Sequence, residues 1–435
     1  MGGKAIIILV MGVSMILGYI ALNISRVVNR SSSNMATYYS MTESHNLATV
    51  GANVGLAKAY QNKNWTGTIE QEYDGSTFTS GSSFRATLED IGGNRRRLRS
   101  VSTYPVSLFK SLHDTVEVFF DGHSTNSFTM FAWMTDFNGN DTFFNDGDTL
   151  WGRMQSNGNI HLDGKPRFWG KVTTSKGINP KPKASDSAAI FRGGYETGVA
   201  PIPFPSDLSE LISAGNSAMG GRTYPGDIWI TLSPGTLTDG DGKVYIRSTQ
   251  AGPIIDSIAL SDPAFDGVIV GNGRVNVQGT LDGKLTITAS TGSIYVQNDI
   301  QYENRNSTPG MVTTSNDLLG LVAEVDVVVA DNPANNSNCL IDACIFCRTN
   351  TFTVENLNSL PMTGTLQTLG SIVQKEKGAI DKTSGSTVSR GYYKNYHFDD
   401  RLTDPNFKPP HFPGYGVVTY SITNWWESFR IMEFD

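Results

Sequence analysis

Cys339, Cys344 and Cys347 fall within NCLIDACIFCRTN, and the Cys344-x-x-Cys347 spacing is shared by zinc-binding and dithiol redox motifs. A zinc site needs a second pair of ligands, and no Cys or His pair at such spacing occurs elsewhere in the chain. A redox role calls for a strand-helix-strand context that the surrounding residues do not provide. Ile341, Ala343, Ile345 and Phe346 interleave with the cysteines. The first expectation is therefore burial as small apolar side chains, with a local Cys344–Cys347 disulfide second and metal or redox chemistry last.

The other groups able to do chemistry are dispersed. Histidines stand at 45, 113, 123, 161, 397 and 411, with no H-E-x-x-H and no G-x-S-x-G, so nucleophilic or zinc-dependent hydrolysis has no support. Asp256, Asp262, Asp266 and Lys284 could be gathered on one face of a polysaccharide-cleaving protein, but Asp in turns is far commoner than Asp in catalysis. Asp136-Phe-Asn-Gly-Asn-Asp141 and Asn145-Asp-Gly-Asp148 are oxygen-rich. A calcium loop fails there, because Asp141 stands where it needs Gly and Gly147 where it needs Glu. Asn-x-Ser/Thr triplets at Asn64, Asn140, Asn306 and Asn335 suit exposed loops and leave glycosylation open. No enzyme, metal or cofactor is expected.

What must position these residues follows from composition. The chain has 435 residues and 34 Lys+Arg against 41 Asp+Glu, a net charge of −7 that argues against a general nucleic-acid binder. With 39% hydrophobic and 17% charged residues it can bury a large core, which excludes wholesale disorder. Three cysteines exclude a disulfide scaffold, and 45 glycines favour turns and strands.

Ala5 to Ile24 is a 20-residue run without charge, bracketed by Lys4 and by Arg26 and Arg30, and it matches the thickness of a bilayer core. It is longer than the apolar core of a cleaved signal and is read as an uncleaved anchor; Ile8, Leu9, Met15 and Leu17 lie on it. The flanking charges nearly balance, so they do not set its orientation. Val27, Val28, Met35, Tyr38, Tyr39, Leu47, Val50, Val54 and Leu56 continue a helical period as far as Trp65-Thr66-Gly67. Gly51, Ala52 and Gly55 keep one stretch thin, for close contact with the protein's own domain or with a neighbouring helix; the assembly contact is placed there.

A short N-terminus, an apolar helix and an amphipathic continuation ending in Tyr60-Gln-Asn-Lys-Asn-Trp65 resemble the N-terminal helix of type IV pilin-like proteins. That resemblance implies processing at Gly3-Lys4 by a prepilin-type peptidase.

From Thr66 the chain changes to short β-branched and aromatic runs between Gly, Asn, Asp and Ser, with Val116–Phe120 and Phe128–Trp133 as strands and Gly92–Arg99 as an exposed basic loop. From Gly267 to Ile300, apolar pairs at Val268/Val270, Val275/Val277, Leu285/Ile287 and Ile294/Val296 start 7, 10 and 9 residues apart, with Gly-containing turns between them. Strands this short are not stable alone, so the expected body is a right-handed parallel β-helix in which each coil covers the last. The expected division is an anchor and amphipathic helix over 1–65 and a β-rich domain over 66–150. A β-helix over 151–380 follows, with an inserted flap at about 175–225 and a mobile loop from Lys375 to Ser389. An aromatic C-terminal cap takes 381–435.

Trp151–Gly158 with Pro166–Val172, Gly267–Tyr302, Leu319–Ala323, Gly391–Leu402, and Pro409–Pro413 leading to Trp425-Trp426-Glu427 together resemble a PilX-like, pilus-assembly-like envelope family. The resemblance implies a non-catalytic, membrane-anchored structural protein of the cell envelope, its body exported to the cell surface or an extracellular filament. Its partners would be the membrane, copies of itself and other pilin-like proteins. Two rival readings are a surface protein that binds or cleaves polysaccharide, with a glycan partner, and a bactofilin-like polymer.

Overall fold

The computed structural model describes all residues except 1, 63–64, 93–94, 108–109, 138, 140–141, 236–239, 306–314, 385–386, 405 and 429–435. The chain is mainly β with one long N-terminal helix, and it forms two units, Met1–His123 with Tyr420–Asp435, and Ser124–Thr419. These boundaries replace the expected ones at 65, 150 and 380.

In the first unit a single helix runs from Gly2 to Gln61, about 90 Å at 1.5 Å per residue. Its large apolar side chains are exposed from Ile6 to Tyr39, whereas Leu47, Ala48, Ala52 and Ala59 are buried. The buried half lies on an antiparallel meander of strands Gly67–Glu72, Ser83–Gly92, Arg95–Ser107 and Thr115–Ser127, with Gly414–Ser428 next in order. Alternation along these strands turns Phe84, Ala86, Leu88, Leu98, Val116, Val118 and Phe120 towards the helix. The expected basic loop at Gly92–Arg99 is mostly strand. Arg97 Nε donates to Glu89 Oε1 at 2.7 Å, Arg99 pairs with Glu117 at 3.4 Å, and Arg96 lies 4.6 Å over the Tyr420 ring.

The second unit stacks short parallel strands in three series. The longest series runs, in spatial order, through Arg222–Tyr224, Val268–Gly271, Lys284–Ala289, Leu318–Ala323, the end of Cys339–Cys347 and the end of Met362–Glu376. It continues through Trp133–Phe137, Met154–Ser156, Val172–Thr174 and Tyr195–Thr197. A second series joins Ile228–Ser233 to residues 275–277, 294–296, Val327–Val329 and Phe352–Val354. A third joins 279–281, 300–302, 341, 366–370 and 392–398, with Tyr396 paired to Leu150. Register partners Ile269, Ile287, Leu321, Ile345, Ile372, Trp133, Met154 and Val172 form one inward column of the core.

Spatial order therefore differs from chain order. The strands at 133–156 stack onto the end of Met362–Glu376, not at the start of the series, and 195–197 and 222–224 lie at opposite ends. Ten strands at 4.7–4.9 Å spacing put those ends about 43 Å apart. Residues 198–221 cross that distance as a strap over the outer side of the longest series. Ile202 exchanges two backbone hydrogen bonds with the Asn157 side chain at 2.7 and 3.0 Å. Ser206 O accepts from Arg348 at 2.6 Å, and Gly215 sits against Val270 without room for a Cβ. Phe204, Leu208 and Leu211 on the strap cover Val270, Val322, Phe346, Val373 and Met134, the outward members of the same strands.

The expected flap at 175–225 is thus two things, a coil of the stack up to Thr197 and a strap thereafter. The expected mobile loop at Lys375–Ser389 is a strand end followed by Asp381–Ser384, which pairs antiparallel with Thr387–Phe398. The expected aromatic cap divides as well: Tyr392 and Tyr396 lie in the core of the stack, Phe412 covers its outer side, and Trp425 packs in the first unit.

Candidate membrane and assembly helix

The helix meets its sheet where it is thinnest. A Cβ on Gly51 would strike Ser100 Oγ and come within 2.7 Å of the Phe84 ring, and one on Gly55 would lie 2.7 and 2.9 Å from the Leu98 methyls. Ala52 is fully buried beside them. Gly51, Ala52 and Gly55 are therefore filled by the protein's own sheet, which corrects their assignment to assembly. A small-residue stripe signals close approach, and helix and sheet partners leave the same trace in sequence.

The N-terminal half is the reverse. Ile8, Leu9, Met15 and Leu17 are 72, 68, 69 and 60% exposed, and Gly3 and Lys4 stand open at the helix start. Within this helix an 18-residue window reaches mean hydropathy 2.3 with none of it buried, so it is long and apolar enough to cross a membrane. Tyr38 and Tyr39 are still 74 and 62% exposed.

The cysteines are free and buried in one strand. Cys344 points outward with Val322 and Phe346, and Cys339 and Cys347 point inward. Residues three apart on a strand face opposite sides with Cα atoms about 10 Å apart, and a disulfide spans only about 4.4–6.8 Å. The Cys344–Cys347 disulfide expectation is overturned on that geometry. Burial pushes the thiols of Cys339 and Cys344 up to about 12 and that of Cys347 higher still, so they are inert at neutral pH.

The carboxylates singled out in sequence have separate partners. Asp256 accepts from the Tyr224 hydroxyl at 2.5 Å, Asp262 caps the Ala264 N–H at 2.9 Å, and Asp266 meets His411 at 2.9 Å. Lys284 lies 5.5 Å over the Phe407 ring. The oxygen-rich segment 145–148 is a turn, in which Asp148 Oδ2 accepts from Asn145 N at 2.9 Å. Among the described residues no group of three or more His, Cys, Asp or Glu is placed to hold a metal ion. Asn335 is buried, its amide donating to Val296 O and Ala330 O, so it offers no acceptor for a glycan; Asn64, Asn140 and Asn306 lie outside the described residues.

Two surface features escaped the sequence. Trp151 and Trp169 stack at 4.6 Å and 5°, with His397 stacked on Trp151 at 6.1 Å and Arg192 on Trp169 at 4.3 Å. Trp151 and Trp169 remain 40 and 38% exposed. Beside Arg192 a cavity of about 330 Å³ is lined by Asp146, Thr149, Lys165 and Arg167.

Three lysines stitch the coil at 372–398 to the one at 133–150. Lys375 donates to Asp136, Lys377 to Phe143 O, and Lys394 to Asp148 and Asp381. Lys377 is fully enclosed, with Nζ 3.7 Å over the Phe144 ring; burial and Lys394 push it down to about 7 against the pull of Asp148 and Asp381. The unfolded chain therefore binds more protons than the folded one between about pH 7 and the ordinary lysine value near 10.4. Stability should rise with pH across that window, by up to about 1.4 kcal/mol per unit. Melting curves at pH 7 and 9 should show this rise in the native chain and a flatter response in Lys377→Met; equal slopes would refute it.

A scan against protein-family models finds no match, and a search of curated proteins finds none. Among the solved structures that match is the competence-associated pilin ComZ from Thermus thermophilus, 12% identical, covering 89% of this chain and 97% of that one with a TM-score of 0.32.

Proposed function

We propose that this chain is a non-catalytic, membrane-tethered, pilin-like subunit of the cell envelope that assembles with copies of itself or with other pilin-like proteins through the N-terminal half of its helix. The carrying observation is the length of unburied helix. Residues 6–39 extend about 50 Å at 1.5 Å per residue, whereas a bilayer core is about 30 Å thick. The run is apolar as far as Ile24, and beyond it exposed apolar side chains alternate with Arg26, Asn29, Arg30 and the serines at 31–33. The membrane covers the first 20 residues or so, and Val27, Val28, Met35, Tyr38 and Tyr39 still need an apolar partner. Like helices side by side supply it. The three stacked series of parallel strands support reading the second unit as a β-helix, right-handed by the general sense of parallel crossovers. Such an arm would stand outside the cytoplasmic membrane, and the open Gly3-Lys4 bond would be within reach of a processing peptidase.

The test places single cysteines on that surface, Val28→Cys and Met35→Cys, in native membranes, where the three natural thiols are buried. Oxidation should give dimers for at least one position. Monomer alone at both positions would overturn the assembly.

A further inference from the structure

We propose that Lys394 and Asp148 join in an intramolecular amide bond that covalently closes the seam between the coils at 133–150 and 372–398, with Asp381 carrying the proton. The three side chains are each at most 9% exposed. Lys394 Nζ stands 3.3 and 3.2 Å from the two oxygens of Asp148, so it faces the carboxyl carbon, and 3.1 Å from Asp381 Oδ1. Trp133, Phe144 and Tyr396, all buried, belong to the core around them, with Trp133 stacked on Tyr396 at 5.6 Å. One amine held against two carboxyl groups in such a place is arranged for condensation as well as for ion pairing. Condensation removes two buried charges whose desolvation an ion pair offsets only in part.

The step balances without a co-reactant. The Lys394 ammonium passes a proton to Asp381, and the free amine attacks Cγ of Asp148. The new C–N bond forms and one Cγ–O bond breaks. The departing oxygen takes the proton from Asp381 and a second from the nitrogen, and leaves as water. Asn145 N–H, 2.9 Å from Asp148 Oδ2, is placed to steady the oxyanion on the oxygen that stays. Burial alone would lower Lys394, and the two aspartates hold it up, so the proton must move inside the cluster before attack. Lys377, enclosed nearby and pushed down to about 7 by burial and by Lys394, adds no positive charge to the cluster once it is neutral.

Folded full-length protein, denatured and cut with trypsin, tests this by peptide mass. The expected species joins residues 111–153 to residues 391–401, uncut at Lys394 and one water lighter than the sum of its parts. Asp148→Asn should yield the same joined species from a chain one ammonia lighter than its own sequence. Lys394→Arg should show no joined species and no loss of mass. Unlinked peptides cut at Lys394 from the folded native chain would overturn the proposal, and a link from Lys394 to residues 378–382 would overturn Asp148 as the acceptor.

Discussion

Gly51→Leu and Gly55→Leu are each expected to unfold the unit formed by Met1–His123 and Tyr420–Asp435. A leucine at either position drives four carbons into space already occupied by Phe84, Ser100 or Leu98. Neither partner can give way, because Phe84 and Leu98 are no more than 1% exposed within a sheet whose register fixes them. Overpacking of this kind costs about 3 kcal/mol or more, a large share of the stability of a small unit. Amide hydrogen exchange along Arg95–Ser107 reads the outcome directly. Protection should fall by about 100-fold or more in both variants and by less in Gly55→Ala. Should the variants keep that protection and lose only self-association, the sheet is not what these glycines serve.

Replacing Met15 and Leu17 together by Lys should free the protein from membranes and leave its melting unchanged. A lysine at the centre of a spanning helix costs about 3 kcal/mol, so the pair costs about 6 kcal/mol. That is comparable to the whole gain from the 11 Ile, Leu and Val residues of the run at about 0.5 kcal/mol each. Both side chains are more than half exposed and touch neither unit's core, so the fold has nothing to lose. Flotation of membranes on a density gradient measures the first part and thermal melting the second. Retention of the doubly charged chain in the floated fraction would mean that something besides the bilayer holds it.

Much of this architecture was legible from residue pattern alone. An uninterrupted apolar run announced the helix, and the pairs Val275/Val277, Leu285/Ile287 and Ile294/Val296 do face inward, whereas Val268 and Val270 face outward and Ile269 between them faces inward. Coil order was not legible. Every coil offers a similar column of Ile, Leu and Val, and such columns carry no label that tells residue 133 to lie beside 372. The strap was misjudged as a flap because the outward residues Val270, Val322 and Phe346 are also apolar, and alternation fails where both sides of a strand are covered. The lysine seam was missed for a related reason. Lys375–Ser389 has the composition of a solvated loop, and only tertiary structure reveals that Asp136 and Phe143 await its Lys375 and Lys377, and that Asp148 awaits Lys394 beyond it.

The displaced coil order has a consequence for biosynthesis. A ribosome delivers residues 133–197 long before 372–398, so the earliest coils emerge with one rim unpaired and wait for nearly the last part of the body to seal it. Contacts so distant along the chain form late, since the intervening loop must close before they repay its entropy. A nascent polypeptide whose trunk cannot close before residues 372–398 have been made stays incompletely folded until then.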